Sequence, residues 1–251
     1  MKHLDSHFFR RTLHRVLDFV YPPECELCQV PLANGMYLCS TCQNALPRIQ
    51  APFCERCGEM FEGNIESNFI CPNCTTLKYD FAFCRPVLLS SEPARDLIHK
   101  LKYARSIHLA ADLARITAEA FDDPRLHQAR KEKWTLIPVP LHWSREQKRF
   151  YNQSRELTKH LARELSLPWC DALVRRRATM TQTALNRQHR LKNLKDCFSL
   201  SSKGKKWRES KPSGAIVIDD VFTTGATAQE CSSVLRKIGI ENRVVVTLMR
   251  G

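Results

Sequence analysis

Four Cys-x-x-Cys pairs stand within one short stretch of the chain: Cys25 and Cys28, Cys39 and Cys42, Cys54 and Cys57, Cys71 and Cys74. A Cys-x-x-Cys turn aims two sulfurs at one point, and two such turns supply four thiolates in a tetrahedron, which suits zinc. Four thiolates fill the coordination shell and leave no place for water, so each metal is structural. The simplest pairing puts Cys25, Cys28, Cys39 and Cys42 on one zinc and Cys54, Cys57, Cys71 and Cys74 on a second. A cross-braced arrangement, with alternate pairs sharing a metal, fits the same spacing. A thioredoxin-like redox motif would stand once beside a βαβ unit, not four times in a loop-rich segment. Residues 24–80 hold few large apolar side chains, so metal must supply much of their folding energy, about 10–16 kcal/mol per site by analogy with zinc-finger peptides.

The disulfide alternative fails on compartment. The opening stretch MKHLDSHFFRRTLHRVLDFVYPP is broken by Arg10, Arg11, His14, Arg15 and Asp18, so it lacks the apolar h-region of a secretory signal. No segment approaches the roughly 20 apolar residues that span a bilayer. A cytoplasmic, reducing setting is expected, where cysteines bind metal or pack. The isolated Cys84, Cys170, Cys197 and Cys231 lie on apolar stretches and read as packing residues.

The chain's 251 residues, 43% hydrophobic, suffice for one good core and a small accessory domain. The formal charge of +13 favours anionic ligands or partners. Three regions follow. Residues 1–20, with Leu4, Phe8, Leu13, Val16, Leu17 and Val20 at near-helical spacing, read as an amphipathic helix ended by Tyr21-Pro22-Pro23. Residues 21–80 hold the cysteine pairs. Residues 81–251 read as α/β: a proline-containing edge strand over 81–90, two helices over 92–121, a buried strand over 134–141 and a helix over 153–165. A polar loop over 173–200 and a basic connection over 201–213 follow. A strand over 215–218, a polar turn over 219–225, a helix over 226–238 capped by Gly239, and a strand over 243–248 complete a βαβ unit and imply a parallel sheet.

That turn carries the chemistry. Asp219-Asp220-Val221-Phe222-Thr223-Thr224-Gly225-Ala226-Thr227 lies where a parallel strand gives way to a helix, the usual ligand edge of an open α/β sheet. Its backbone N–H groups and the helix N-terminus form an anion nest, the threonine hydroxyls add donors, and Gly225 lets the backbone approach closely. The paired carboxylates suit the hydroxyls of a ribose. A phosphate end beside a diol end describes ribose 5-phosphate. Neither a Walker loop nor a Gly-x-Gly-x-x-Gly fingerprint is present.

This run resembles the phosphoribosyl pyrophosphate signature of type I phosphoribosyltransferases. With the cysteine pairs, the chain from about residue 20 onward resembles the ComF family of double-zinc-ribbon, phosphoribosyltransferase-like proteins linked to DNA uptake and competence. Ile137 to Leu141 with Arg145, Lys148, Arg149, Phe150, Asn152 and Gln153 is similar to the family's Arg-x-x-Arg-Gly-Phe-Asn-Gln segment, although Tyr151 intervenes after Phe150. Gln182, Leu185, Arg190, Asn193 and Phe198 resemble a second family stretch. Leu101-Lys102-Tyr103 resembles a third, with Arg105 standing where glycine is expected. The resemblance implies a type I phosphoribosyltransferase-like parallel sheet flanked by helices. It implies Asp219 and Asp220 on the ribose hydroxyls, residues 223–227 on the 5-phosphate, and Mg2+ accompanying phosphoribosyl pyrophosphate. Pro140, Arg145, Lys148, Arg149, Lys102 and Arg190 are the candidates for a pyrophosphate loop. Three roles stay open: a phosphoribosyltransferase, a module holding the 5′-phosphate end of single-stranded DNA alongside DNA-uptake proteins, or a sensor of phosphoribosyl pyrophosphate.

Overall fold

The computed structural model describes residues 23–32, 35–61, 63, 69–177, 194 and 196–251. The expected helix over 1–20 lies outside them, as do Gln182, Leu185, Arg190 and Asn193. The chain falls into two compact units, residues 1–45 and 46–251. Among the described residues no helix is long and apolar enough to cross a membrane.

The first unit is a cysteine knuckle followed by a short helix, Ser40–Ala45. Its turn is closed by the backbone bonds from Cys25 N to Val30 O, 2.9 Å, and from Gln29 N to Cys25 O, 2.8 Å.

The second unit is built on a four-stranded parallel sheet of β1 (Cys84–Leu89), β2 (Thr135–Pro138), β5 (Gly214–Phe222) and β6 (Asn242–Arg250), in the order β1-β6-β5-β2. The fully parallel pairing follows from the apolar runs Ala215–Ile218 and Val244–Val246, buried on both faces. Helices Leu109–Ala118 and Gln153–Leu165 pack together and touch sheet strands, and Ala226–Lys237 also lies against the sheet. β1 is an edge strand, as its proline requires. The chain before it covers that edge, with Ile49 N bonding Val87 O at 2.8 Å and Leu89 N bonding Pro47 O at 2.9 Å.

Three elements differ from the sequence reading. β5 runs to Phe222, so both aspartates lie on the strand and not in the turn after it; pairing of Asp219 with Thr247 and of Phe222 with Arg250 across β6 extends the ladder. The stretch 173–200 is bounded by an antiparallel pair, β3 (Leu173–Arg175) with β4 (Phe198–Leu200). The basic connection contains a helix, Ser202–Glu209, whose N-cap Ser201 accepts from Gly204 N.

Candidate functional site

The two cysteine clusters pair sequentially. In each, all four Sγ atoms lie within 4.8 Å of one another, which excludes the cross-braced arrangement. Tetrahedral Zn–S bonds of about 2.3 Å place sulfurs roughly 3.8 Å apart. The Cys28–Cys39 and Cys57–Cys71 sulfurs are each 3.7 Å apart, so both sets fit zinc. Backbone N–H groups support the thiolates: Cys39 N to Cys25 Sγ, 3.4 Å, and Cys71 N to Cys54 Sγ, 3.3 Å. The hydrogen bond from Cys57 lowers Cys54 to about 4, and burial raises Cys74 to about 12.

The clusters differ in setting. Cys28 is exposed and Cys39 and Cys42 half-buried, whereas all four cysteines of the second cluster are buried. That second cluster shares one core with Phe81, Val217, Phe222 and Val245 of the α/β unit. Gly58 follows its first pair at φ +68°, where a Cβ would fall 2.3 Å from Pro86 Cδ on β1. Arg125 donates to Glu55 O at 2.9 Å and stacks on Phe83.

The ligand loop lies at the C-terminal end of β5. A cavity of about 150 Å³ is lined by Asp219, the run from Val221 to Ala228, Thr247 and Leu194. Gly225 is the N-cap of Ala226–Lys237 at φ +77°, and Thr224 Oγ1 accepts from Ala226 N, the first residue of that helix, at 3.4 Å. A Cβ at Gly225 would fall 2.6 Å from Phe222 Cζ and 3.1 Å from Tyr79 Cε1, so packing as well as backbone conformation demands glycine there.

The second zinc region holds this loop from behind. Tyr79 donates its hydroxyl to Thr224 O at 3.2 Å. Arg250 donates to Phe222 O and Thr223 O at 3.1 and 3.0 Å and pairs with Glu59. Asp80 and Gln229 exchange two hydrogen bonds, of 2.6 and 2.8 Å.

The aspartates are not equivalent. Asp219 is half-buried and faces the cavity, and it accepts from Ser154 Oγ at 2.8 Å. Burial, and then the charge of Asp220, raise its pKa to about 8. Asp220 is 4% exposed, ion-pairs with Lys102 and accepts from Gln153 Nε2 at 3.3 Å. Burial works against its ionisation, but the Lys102 ammonium prevails and holds it below the ordinary carboxylate range. Burial and the neighbouring charge thus disfavour ionisation of Asp219, while the Asp220 charge is compensated by Lys102.

Of the pyrophosphate-loop candidates, Lys102 touches Asp220 directly, and Arg149 is linked to it through Gln153. Arg149 bonds Gln153 Oε1 at 2.9 Å and Tyr103 OH at 3.0 Å. Pro140 is buried beyond β2, and Arg145, Lys148 and Arg149 lie on a helix, Trp143–Arg149, and not on a loop. Lys148 is exposed; Arg190 lies outside the described residues. The roles of Gln153 and Ser154 in gripping the carboxylates were missed, although Asn152 marks their helix's N-terminus by accepting from Ser154 N and Arg155 N. Tyr79 and Arg250 carried no signal, because only the fold brings them to the loop.

A family model of the double zinc ribbon domain matches residues 16–76. Competence protein F of Haemophilus influenzae is 33% identical over 220 residues, 86% of this chain and 91% of that protein. DNA utilization protein YhgH of Escherichia coli K12 is 32% identical over 222 residues, 87% of this chain and 92% of that protein. An orotate phosphoribosyltransferase from Aeropyrum pernix superposes over 62% of this chain and 76% of its own, with 17% identity and a TM-score of 0.30, too slight a likeness to argue from.

Proposed function

The chain belongs to the family of competence protein F and DNA utilization protein YhgH, and on that premise we propose that its α/β unit binds a phosphorylated ribose, foremost phosphoribosyl pyrophosphate, in DNA uptake or in the use of DNA-derived nucleotides. The observation that carries this reading is the single cavity in which Asp219 shares walls with the run from Thr223 to Ala228. The N-terminus of a twelve-residue helix and the hydroxyls of Thr223, Thr224 and Thr227 receive the 5-phosphate. Asp219 accepts from the ribose hydroxyls. Asp220 holds Lys102 in place and joins Asp219 on the diol when pyrophosphate draws that ammonium away. Arg149 stands beside Lys102 as the second cation on the pyrophosphate side. Magnesium arriving with phosphoribosyl pyrophosphate would neutralise charge on the pyrophosphate, and the protein's own share is positioning and electrostatics through Asp219, Lys102 and Arg149.

The test is calorimetry with phosphoribosyl pyrophosphate and Mg2+, alongside ribose 5-phosphate alone. Asp219→Asn is expected to weaken binding by about tenfold or more, the loss of a charge-assisted hydrogen bond. Burial and the Asp220 charge raise the pKa of Asp219 to about 8, so binding that favours its ionised form at pH 7 is expected to release protons, visible as a heat that varies with the buffer. Wild-type affinity in Asp219→Asn with Asp220→Asn would falsify the reading. Pyrophosphate release in the presence of a base separates a transferase from a sensor. A second reading, a module for the 5′-phosphate end of single-stranded DNA, is favoured by the charge of +13. It requires affinity for a 5′-phosphorylated strand to fall steeply with salt.

A further inference from the structure

Beside the carboxylates lies a surface of which the sugar-phosphate reading uses only Arg149. Tyr103 and Phe150 are 58% and 65% exposed, high values for aromatic side chains. Each carries a guanidinium on its ring: Arg149 Cζ is 4.7 Å from the Tyr103 centroid and Arg105 Cζ is 3.9 Å from that of Phe150. The pairs cross between two segments. Tyr103 and Arg105 leave the helix Glu92–Tyr103, and Arg149 and Phe150 end the helix Trp143–Arg149.

The backbone makes the arrangement more telling. Arg105 and Phe150 sit at φ +59° and +69°, the left-handed region where glycine is at ease and bulky residues are strained. Glycine at Phe150 would relieve strain and remove an exposed apolar ring together. The chain instead keeps two strained residues whose side chains stack on each other. Strain of this kind persists where the surrounding structure or a function enforces it.

The geometry points to a nucleobase-stacking platform formed by Tyr103, Arg105, Arg149 and Phe150, which takes the bases of a single-stranded nucleic acid. Aromatic rings and guanidinium planes stack with any base, and the two arginines add attraction for the strand's phosphates. A duplex hides its base faces, so a single strand is the fitting partner. The platform adjoins the ligand site through two links. Lys102, next to Tyr103, ion-pairs with Asp220, and Arg149 bonds Gln153, which bonds the same carboxylate. A strand with its terminal sugar phosphate at Asp219 would meet these rings at the rim. That last step rests on the sugar-phosphate reading, whereas the platform itself does not.

Fluorescence anisotropy with a labelled thymidine oligomer of about ten nucleotides tests it, using the full chain as wild type, Phe150→Gly and Tyr103→Leu. Both variants are expected to lose about tenfold in affinity for the oligomer, and an abasic strand should bind wild type no better than the thymidine oligomer binds the variants. Phe150→Gly should keep or raise the melting temperature, since glycine takes φ +69° freely. That outcome parts stacking from a structural role. Ribose 5-phosphate affinity should be the same in all three proteins. If it binds none of them while the oligomer results hold, the sugar-phosphate reading fails and the platform stands. Undiminished oligomer binding in both variants, or an abasic strand that binds wild type as well as the thymidine strand does, overturns the platform.

Discussion

The two zinc sites share one sequence pattern and have opposite surroundings. Cys25, Cys28, Cys39 and Cys42 lie in a small unit of their own, with Cys28 exposed. Cys54, Cys57, Cys71 and Cys74 are all buried in the core of the α/β unit, and the residues around them bind the ligand loop. The first is a small knuckle with one exposed and two half-buried ligands. The second is a metal-bound corner of a larger core. The two halves of the double zinc ribbon are therefore unequal in setting.

Removing one thiolate from each site should have unequal consequences. Cys57→Ser should release the second zinc and lower the stability of the whole α/β unit, because a buried ligand set with no metal leaves polar groups uncompensated in the core. Cys42→Ser should release the first zinc and leave the α/β transition in place. Zinc content and urea unfolding followed by circular dichroism read both. Equal losses of α/β stability would show that the sites are equivalent after all.

Next in size is Gly58→Val. The added side chain meets Pro86 of β1 at a position where φ is +68°. Left-handed strain and overpacking should together cost about 2–4 kcal/mol. A neutral result would mean that the second site rests only loosely on the edge strand.

Chelator access offers a kinetic contrast. The exposed Cys28 and half-buried Cys39 and Cys42 give a chelator an approach, while the second site must open first. Zinc release should be biphasic, with one equivalent leaving about tenfold or more faster, as expected when one site opens locally and the other with its core. Cys42→Ser should abolish the fast phase alone.

What the sequence reveals of this contrast is uneven. Cysteine spacing reports ligand count and chemistry, so both metal sets were legible. It carries nothing about neighbours, so the cysteine region over 21–80 reads as separate from the α/β region over 81–251. The integration depends on Tyr79, Phe81 and Phe222 meeting in space, a tertiary fact. The ligand loop was legible because an apolar strand, an acidic pair and a hydroxyl-rich turn before a helix occur together. The strand's continuation through Asp219 and Asp220 was not, because two charges look like a turn until β6 is seen to pair with them. Helix Trp143–Arg149 buries no residue and Ser202–Glu209 buries only Gly204, so neither shows apolar periodicity. Asn152 and Ser201 carried cap signals, and the first marks the helix that grips both aspartates.

The smallest expected effect refines the comparison most. Tyr79→Phe removes one hydroxyl and leaves the ring stacked on Phe81 at a centroid distance of 4.6 Å. The hydrogen bond lost, to Thr224 O, is worth about 0.5–1.5 kcal/mol. If the second zinc corner only fills the core, that change costs a little stability and ligand affinity stays put. If the corner positions the loop, affinity for a sugar phosphate falls several-fold, in keeping with that energy, while the melting temperature barely moves. Titrating ribose 5-phosphate into Tyr79→Phe and wild type in parallel decides between them. An affinity equal to wild type would reduce the second site to a structural plug, different from the first in burial and not in function.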